Sequence, residues 1–556
     1  MARNSISREL NVDVKRTHRY MLNTFISLLV LGFIHLPLNT YSLMINDATW
    51  SIVYYRRIYI MIINIILIGL YGLGLFVLHQ HSRTGLLVFA WLVAVLDIIA
   101  TLAVLSILFA IIFLISPISV YSVEIFTGVF LFIILSIVGF VFMFVFIVTI
   151  LFGPLPAKTE IKPVLLNKFE LPHAGFSTLS RSWTLNSTSW TLTISCFNAI
   201  PKTTDYVYNV PNIEWQLTTK ITPTLVTNKI VWPNGIVPAD PLVEYSVIVP
   251  SGFLVPGKTN GNLYYISRSG PIALVPDDKT NWFYHDAAFK DMDGDGHLDI
   301  VTGRANVPII GAPTTQLIWL KNPGNDTITG PWKLNYLLRE GGPDIQVQFV
   351  RINSTNVLFA NSFFTRKLQM FWSDSDPLWN DTAQIHVRHI DYETVPYGYV
   401  QLINDLNGDQ KPDLLVTVND EFNGSLIAYE VPSSGDIRRA NFTKHVLASG
   451  FAPRTQARGR GAPGQAVAVE FKSLSTPRKK PVLILSGDDD GCVYLLEALH
   501  DDDPSNWEYS KKVIHRSSKS TIGQVSVEDV DNDGHPEMFV PAYNEGLVYI
   551  YRLIDG

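Results

Sequence analysis

Apolar residues are distributed in two different ways along this chain, and the change falls near residue 155. Before it, Ile, Leu, Val and Phe run in long blocks at 20–38, 58–78, 86–115 and 126–152. The last three reach the roughly 20 residues that a helix needs to cross a bilayer core, and they predict transmembrane helices. The first carries Asn23, His35 and Pro37. It reads as a fourth span, a signal-anchor or an interfacial helix. No A-x-A-like cleavage site follows it, which argues against a removed signal peptide.

After Pro154, Pro156 and Pro163 the pattern becomes short runs of β-branched and aromatic residues, broken at intervals of roughly 8–12 by Gly, Pro, Asn and Asp. Three segments repeat in register: DMDGDGHLD at 291–299, DLNGDQKPD at 405–413 and DVDNDGHPE at 529–537. Each is preceded by a strand-like run (HDAAFK, YVQLIN, QVSVE) and followed by two more, the last being QLIWLKN, SLIAYEV and LVYIYRL. The spacings are 114 and 124 residues, and half of either suits one four-stranded blade. Blades without the acids are visible at 345–373 and 465–497, and an earlier copy at 243–267. A fourth strand is expected after Trp282, Trp332 and Trp507. Residues 165–235 supply a seventh blade or the strand that closes the ring. The predicted fold is therefore an N-terminal α-helical transmembrane bundle of about four helices joined to an all-β propeller of six to seven blades. The expected domains are a cytoplasmic tail over 1–19, the membrane region over 20–153, a linker and β-rich segment over 154–240, and the propeller over 241–556.

The acidic turns suggest a hard divalent cation, which needs six to eight oxygen ligands at short range. The first turn offers the side chains of Asp291, Asp293, Asp295 and Asp299 with the His297 carbonyl. The second offers Asp405, Asn407, Asp409 and Asp413 with the Lys411 carbonyl. The third offers Asp529, Asp531, Asp533 and Glu537 with the His535 carbonyl. Gly294, Gly296, Gly408 and Gly534 permit the positive φ such turns require. Without a cation, so many acids in nine residues should repel one another. An EF-hand is excluded, because its twelfth position must be Glu and here is Thr302, Val416 or Val540. The expectation is two or three structural Ca2+ ions.

On these turns the chain resembles the FG-GAP/VCBS repeats of integrin alpha-chain head domains, over about residues 240–556. The Phe-Gly and Gly-Ala-Pro signatures of that family are poorly kept; Gly311-Ala312-Pro313 is present. The resemblance implies calcium binding in the acidic turns and an adhesion, ligand-binding or scaffold role.

Charge refines the picture. Residues 1–155 hold eight Lys/Arg against five Asp/Glu, a net +3, which leaves −9 for the rest of a chain of net −6. An acidic soluble part argues against nucleic acid, whose phosphates call for basic stripes. Lys15, Arg16 and Arg19 place the N-terminus in the cytoplasm. Four spans would return the propeller to that side, and Lys158, Lys162 and Lys168 agree. Six N-glycosylation sequons, at Asn186, Asn325, Asn353, Asn380, Asn423 and Asn441, point instead to a lumenal or extracellular propeller. Within the spans Asp97 should face other helices, as an interhelical hydrogen-bonding group or an ion site.

Cys196 and Cys492 are the two cysteines, so a disulfide framework is excluded and one long-range bridge or two free thiols remain. RTQARGRGAPG at 454–464 reads as an inter-blade loop or an anion grip, GDDDG at 487–491 as a hairpin turn or a further cation site, and HDDD at 500–503 as an exposed turn. His285, His386, His389, His445 and His515 fall near expected outer strands. No nucleophile elbow, H-E-x-x-H pair or phosphate-cradling glycine loop occurs. The functional expectation is a module anchored in the lipid bilayer that binds a protein or glycan. The alternatives are a propeller enzyme acting on carbohydrate with a metal in its central funnel, and a transporter or channel with a regulatory propeller.

Overall fold

The computed structural model describes residues 160–555, apart from 185–186, 240–245, 268, 326–327, 433–434, 458 and 472–477. These residues belong to one compact unit, Thr159–Gly556. The four apolar blocks, Asp97, the expected N-terminal tail and Asn186 lie outside the described residues. Among the described residues no helix is long and apolar enough to cross a membrane.

Seven antiparallel sheets follow one another along the chain, at 174–227, 237–273, 283–338, 346–391, 397–451, 466–516 and 526–555. They are the seven blades of a β-propeller, called blades 1–7 in that order. Within each, the first strand lines the central axis and the fourth faces outward. Blade 7 takes its fourth strand from the start of the propeller: Ile161–Glu170 pairs antiparallel with Leu547–Asp555. The sequence expected either a blade or a closing strand from residues 165–235; both occur, a blade at 174–227 and a closing strand at Ile161–Glu170, and the ring is left with only short outer edges at its fourth strands.

Seven hydrophobic clusters build the core, one between each pair of neighbouring blades. Second strands are sandwiched between two such clusters. Asp413–Val418, Val482–Ser486 and Glu537–Ala542 are buried at every position, which explains why they read as continuous apolar runs and not as alternation. The three acidic turns join first to second strands in blades 3, 5 and 7, with strands on both flanks. Blades 4 and 6 are the expected acid-free copies.

The tryptophan rule holds for Trp332 and Trp507, which precede the fourth strands Lys333–Leu338 and Tyr509–Arg516. It fails for Trp282. That residue follows the fourth strand of blade 2, Gly270–Ala273, and leads into the innermost strand of blade 3. Its ring packs 4.3 Å from the buried Arg304 guanidinium, a contact that selects tryptophan with no reference to strand order.

Candidate functional site

Chain direction gives the propeller two different ends. Turns between first and second strands, which carry the acids, lie at one end. Turns between second and third strands, and the connections from blade to blade, lie at the other.

The acidic turns share one backbone. The fourth position has φ of 79° at Gly294, 85° at Gly408 and 58° at Asn532; the sixth has 87° at Gly296, 67° at Gln410 and 93° at Gly534. Asn532 and Gln410 thus adopt the left-handed conformation that glycine takes more easily. The second position is a buried apolar residue, Met292, Leu406 or Val530. Its N–H donates to the ninth-position carboxylate, at 2.9 Å to Asp299, 2.9 Å to Asp413 and 3.2 Å to Glu537. The first carboxylate accepts from the turn: Asp291 from Gly294 and Gly296 (2.7 and 2.9 Å), Asp405 from Gly408 and Gln410 (2.6 and 2.8 Å), Asp529 from Gly534 (3.2 Å). The N–H groups of His297, Lys411 and His535 donate to Asp295, Asp409 and Asp533 at 3.0, 2.9 and 2.8 Å. Asn407 accepts from the Asp409 N–H at 3.0 Å. Backbone donors therefore relieve much of the carboxylate repulsion expected from the sequence.

Two turns gather carboxylates at a point. Oxygens of Asp291, Asp293 and Asp295 lie within 4.8 Å of one another, as do those of Asp529, Asp531 and Glu537. Such oxygen groups suit a hard divalent ion in kind, though three fall short of a full calcium shell. Both already face a basic side chain. Lys321 bonds Asp293 and lies 3.0 Å from Asp295. Arg552 bonds Asp531 and lies 2.8 Å from Asp533 and 2.7 Å from Glu537. In the second turn Asp405, Asp409 and Asp413 are not drawn together in this way, and Lys411 folds back on Asp409 at 3.1 Å. Burial, with the charges of Asp409, Asp405 and Glu430, pushes the Asp413 carboxyl up to about 7.

At the opposite end the bore opens into a cavity of about 650 Å³ lined by all seven blades. One side is aromatic. Phe197 packs 4.5 Å from Trp232, Trp232 stacks on Phe253 at 5.2 Å, and Tyr543 lies 5.3 Å from Phe197. Phe364 joins this arc from blade 4, 6.3 Å from Phe253. A buried ion pair pins the arc: Lys258 and Asp205 meet at 2.6 Å, and Asp205 accepts the Trp232 N–H at 2.7 Å. Asp344 holds the turn carrying Phe363 and Phe364 by accepting their N–H groups at 2.7 and 3.3 Å.

The other side is polar. GDDDG forms the second-to-third-strand turn of blade 6 and faces the cavity with Asp488 and Asp489. Asp489 accepts from Thr521 Oγ1 at 2.8 Å and from Arg460 at 3.3 Å. Burial first, then the neighbouring Asp489 and Asp490, drives the Asp488 carboxyl well above its ordinary range. RTQARGRGAPG is the connection between blades 5 and 6. Arg454 donates to the carbonyls of Asp489 and Ser517 at 3.2 and 3.1 Å, so it fastens this wall.

His285 and Asp286 complete the polar wall, so His285 lies at the innermost strand of blade 3 and not at the outer strand expected from the sequence. The first strand of blade 3 is broken into Phe283–Tyr284 and Ala288–Lys290. Between their pairings with Arg304 and Val301, residues 285–287 oppose only 302–303. This bulge turns His285 and Asp286 to the bore, as bulges beside functional sites do, and Thr302 Oγ1 braces it on the Asp286 carbonyl at 2.6 Å. Burial pulls His285 down to about 4 and pushes the Asp286 carboxyl up to about 7. His386, His389, His445 and His515 do lie on fourth strands. Cys196 and Cys492 are buried free thiols.

No family model matches the sequence, that of the FG-GAP/VCBS repeats included, and no curated protein matches it. Solved structures are similar at the level of architecture. A luciferin-regenerating enzyme is 12% identical over 71% of this chain and 95% of its own, with a TM-score of 0.33. The soluble aldose sugar dehydrogenase of Escherichia coli is 9% identical over 71% of this chain and 100% of its own, at 0.33. A putative 6-phosphogluconolactonase of Bacteroides fragilis is 10% identical over 63% of this chain and 88% of its own, at 0.37. At these scores the similarities carry no argument about activity. Residues 160–555 form a seven-bladed β-propeller, with a mixed aromatic and acidic bore at one end and three acidic turns at the other.

Proposed function

We propose that the bore is the functional site and that it recognises carbohydrate. The observation that carries this reading is the meeting of an aromatic arc with carboxylates in one cavity. Sugar rings present apolar C–H faces that stack on aromatic rings, and hydroxyls that donate to carboxylates. A pocket with an apolar wall and a few placed polar groups is the usual form of a small-ligand site. The chain then acts as a glycan-binding module, which the N-terminal apolar blocks would attach to a bilayer. A lumenal or extracellular placement is favoured by the exposure of Asn325, Asn353, Asn380, Asn423 and Asn441, the five sequon asparagines among the described residues.

A catalytic reading on the same ligand is favoured by one further observation. An Asp286 carboxyl near 7 keeps a proton to give, beside a His285 imidazole that stays neutral, and such pairs mark acid–base sites. The test is binding of free mono- and oligosaccharides to the full-length protein, followed by tryptophan fluorescence through Trp232. Phe364→Ala and Asp488→Ala should each weaken binding about tenfold, the equivalent of 1.4 kcal/mol. Sugars that fail to bind, or that bind all three proteins equally, would refute the assignment. Turnover of a bound sugar that falls by about 10²-fold in Asp286→Asn, with binding retained, would make the propeller an enzyme.

A further inference from the structure

The third strands of the three acidic blades place one residue opposite the ninth carboxylate of the turn, and its charge differs. In blade 7 Glu537 pairs with Arg552, and in blade 5 Asp413 pairs with Glu430. In blade 3 the pairing of Ile300 with Leu320 sets Asp299 beside Lys321. Two of the turns therefore receive a cationic group from the third strand, while the turn of blade 5 receives there another carboxylate, itself held by His445 at 3.0 Å, and is met by its own exposed Lys411 on Asp409.

We propose that Lys321 and Arg552 are the resident cations of their turns, so that these two turns keep their shape with no divalent ion. The charge at this one strand position then decides whether such a turn depends on metal. The argument is geometric. The Lys321 ammonium bridges Asp293 and Asp295, and the Arg552 guanidinium spans Asp531, Asp533 and Glu537. Both reach the carboxylates that a calcium ion would have to occupy. Each is tethered to the neighbouring strand, at an effective concentration that a free ion must exceed. An entering ion must also shed its water and leave a displaced basic side chain without its partners. This differs from the expectation of an ion in each turn, and it is independent of what the bore binds.

The test uses the full-length protein, melted in calcium chloride and in EDTA. Lys321→Glu gives blade 3 the charge found in blade 5. Its calcium-minus-EDTA difference in melting temperature should exceed that of the wild type by roughly 2 °C or more. Lys321→Arg should behave as the wild type. Equal differences in Lys321→Glu and wild type, or a calcium dependence acquired by Lys321→Arg, would overturn the proposal. Should Lys321→Glu not fold in either condition, calcium titration calorimetry on Lys321→Gln decides. An ion bound there and not by the wild type supports the proposal; equal stoichiometry refutes it.

Discussion

Asp286 shows how one extra residue in a strand makes a site. The bulge takes it out of the regular alternation and gives it to the bore, where it accepts hydrogen bonds from the Ala287 N–H and, at 3.4 Å, from the Val347 N–H. A carboxyl that ionises near 3.8 in the unfolded chain and near 7 when folded binds its proton more tightly in the native state. The stability it contributes is fully present below the lower value and is lost as pH rises through the upper one. Asp286→Asn should therefore leave stability unchanged near pH 4 and raise it by about 1–2 kcal/mol above pH 7, the full linkage value being reduced by water in the bore. Urea unfolding at the two pH values measures this, and a variant less stable than wild type at high pH would contradict it. None of this was legible in the sequence. The bulge has no residue signature, and the tryptophan at 282 suggested an outer strand. Lys321, Glu430 and Arg552 were legible in principle. They stand in the same column of QLIWLKN, SLIAYEV and LVYIYRL, outside the nine-residue window in which ligands were sought.

At the level of elements, the acidic turns were the best-read part of the chain. Their spacing fixed the blade length, and positive φ at the fourth and sixth positions follows from a repeated need to fold N–H groups onto the first carboxylate. What spacing could not convey was how many of those carboxylates the turn itself would satisfy. The strand Ile161–Glu170 was the least certain element, because a closing strand looks like any other and its partner lies at the far end of the chain. Its anchor is Phe169, buried in the cluster between blades 7 and 1. Phe169→Ala should cost about 3 kcal/mol, read as a lower urea midpoint. A change under about 1 kcal/mol would mean that the strand contributes little to closing the ring.

For the molecule as a whole, the division of labour between two ends was invisible in the sequence. The bore draws on turns and connections from every blade, so its wall is scattered along the chain and no single stretch contains enough of it to be recognised. The acidic turns recur only in alternate blades, so they mark a two-blade unit within an odd-numbered ring. If the propeller lies on the lumenal or extracellular side, Asn325 and Asn380 should carry glycans in cells, seen as a mass loss on endoglycosidase treatment. Unmodified asparagines would place it with the basic N-terminal tail.

Closure by Ile161–Glu170 on Leu547–Asp555 also has a consequence for biosynthesis. Of the propeller's strands, the outermost of the seventh blade leaves the ribosome before all others and its partner after them, so this strand must wait, unpaired and prone to stray association, through the synthesis of six intervening blades. A premature stop that removed only the final nine-residue strand would orphan both the beginning and the end of the ring.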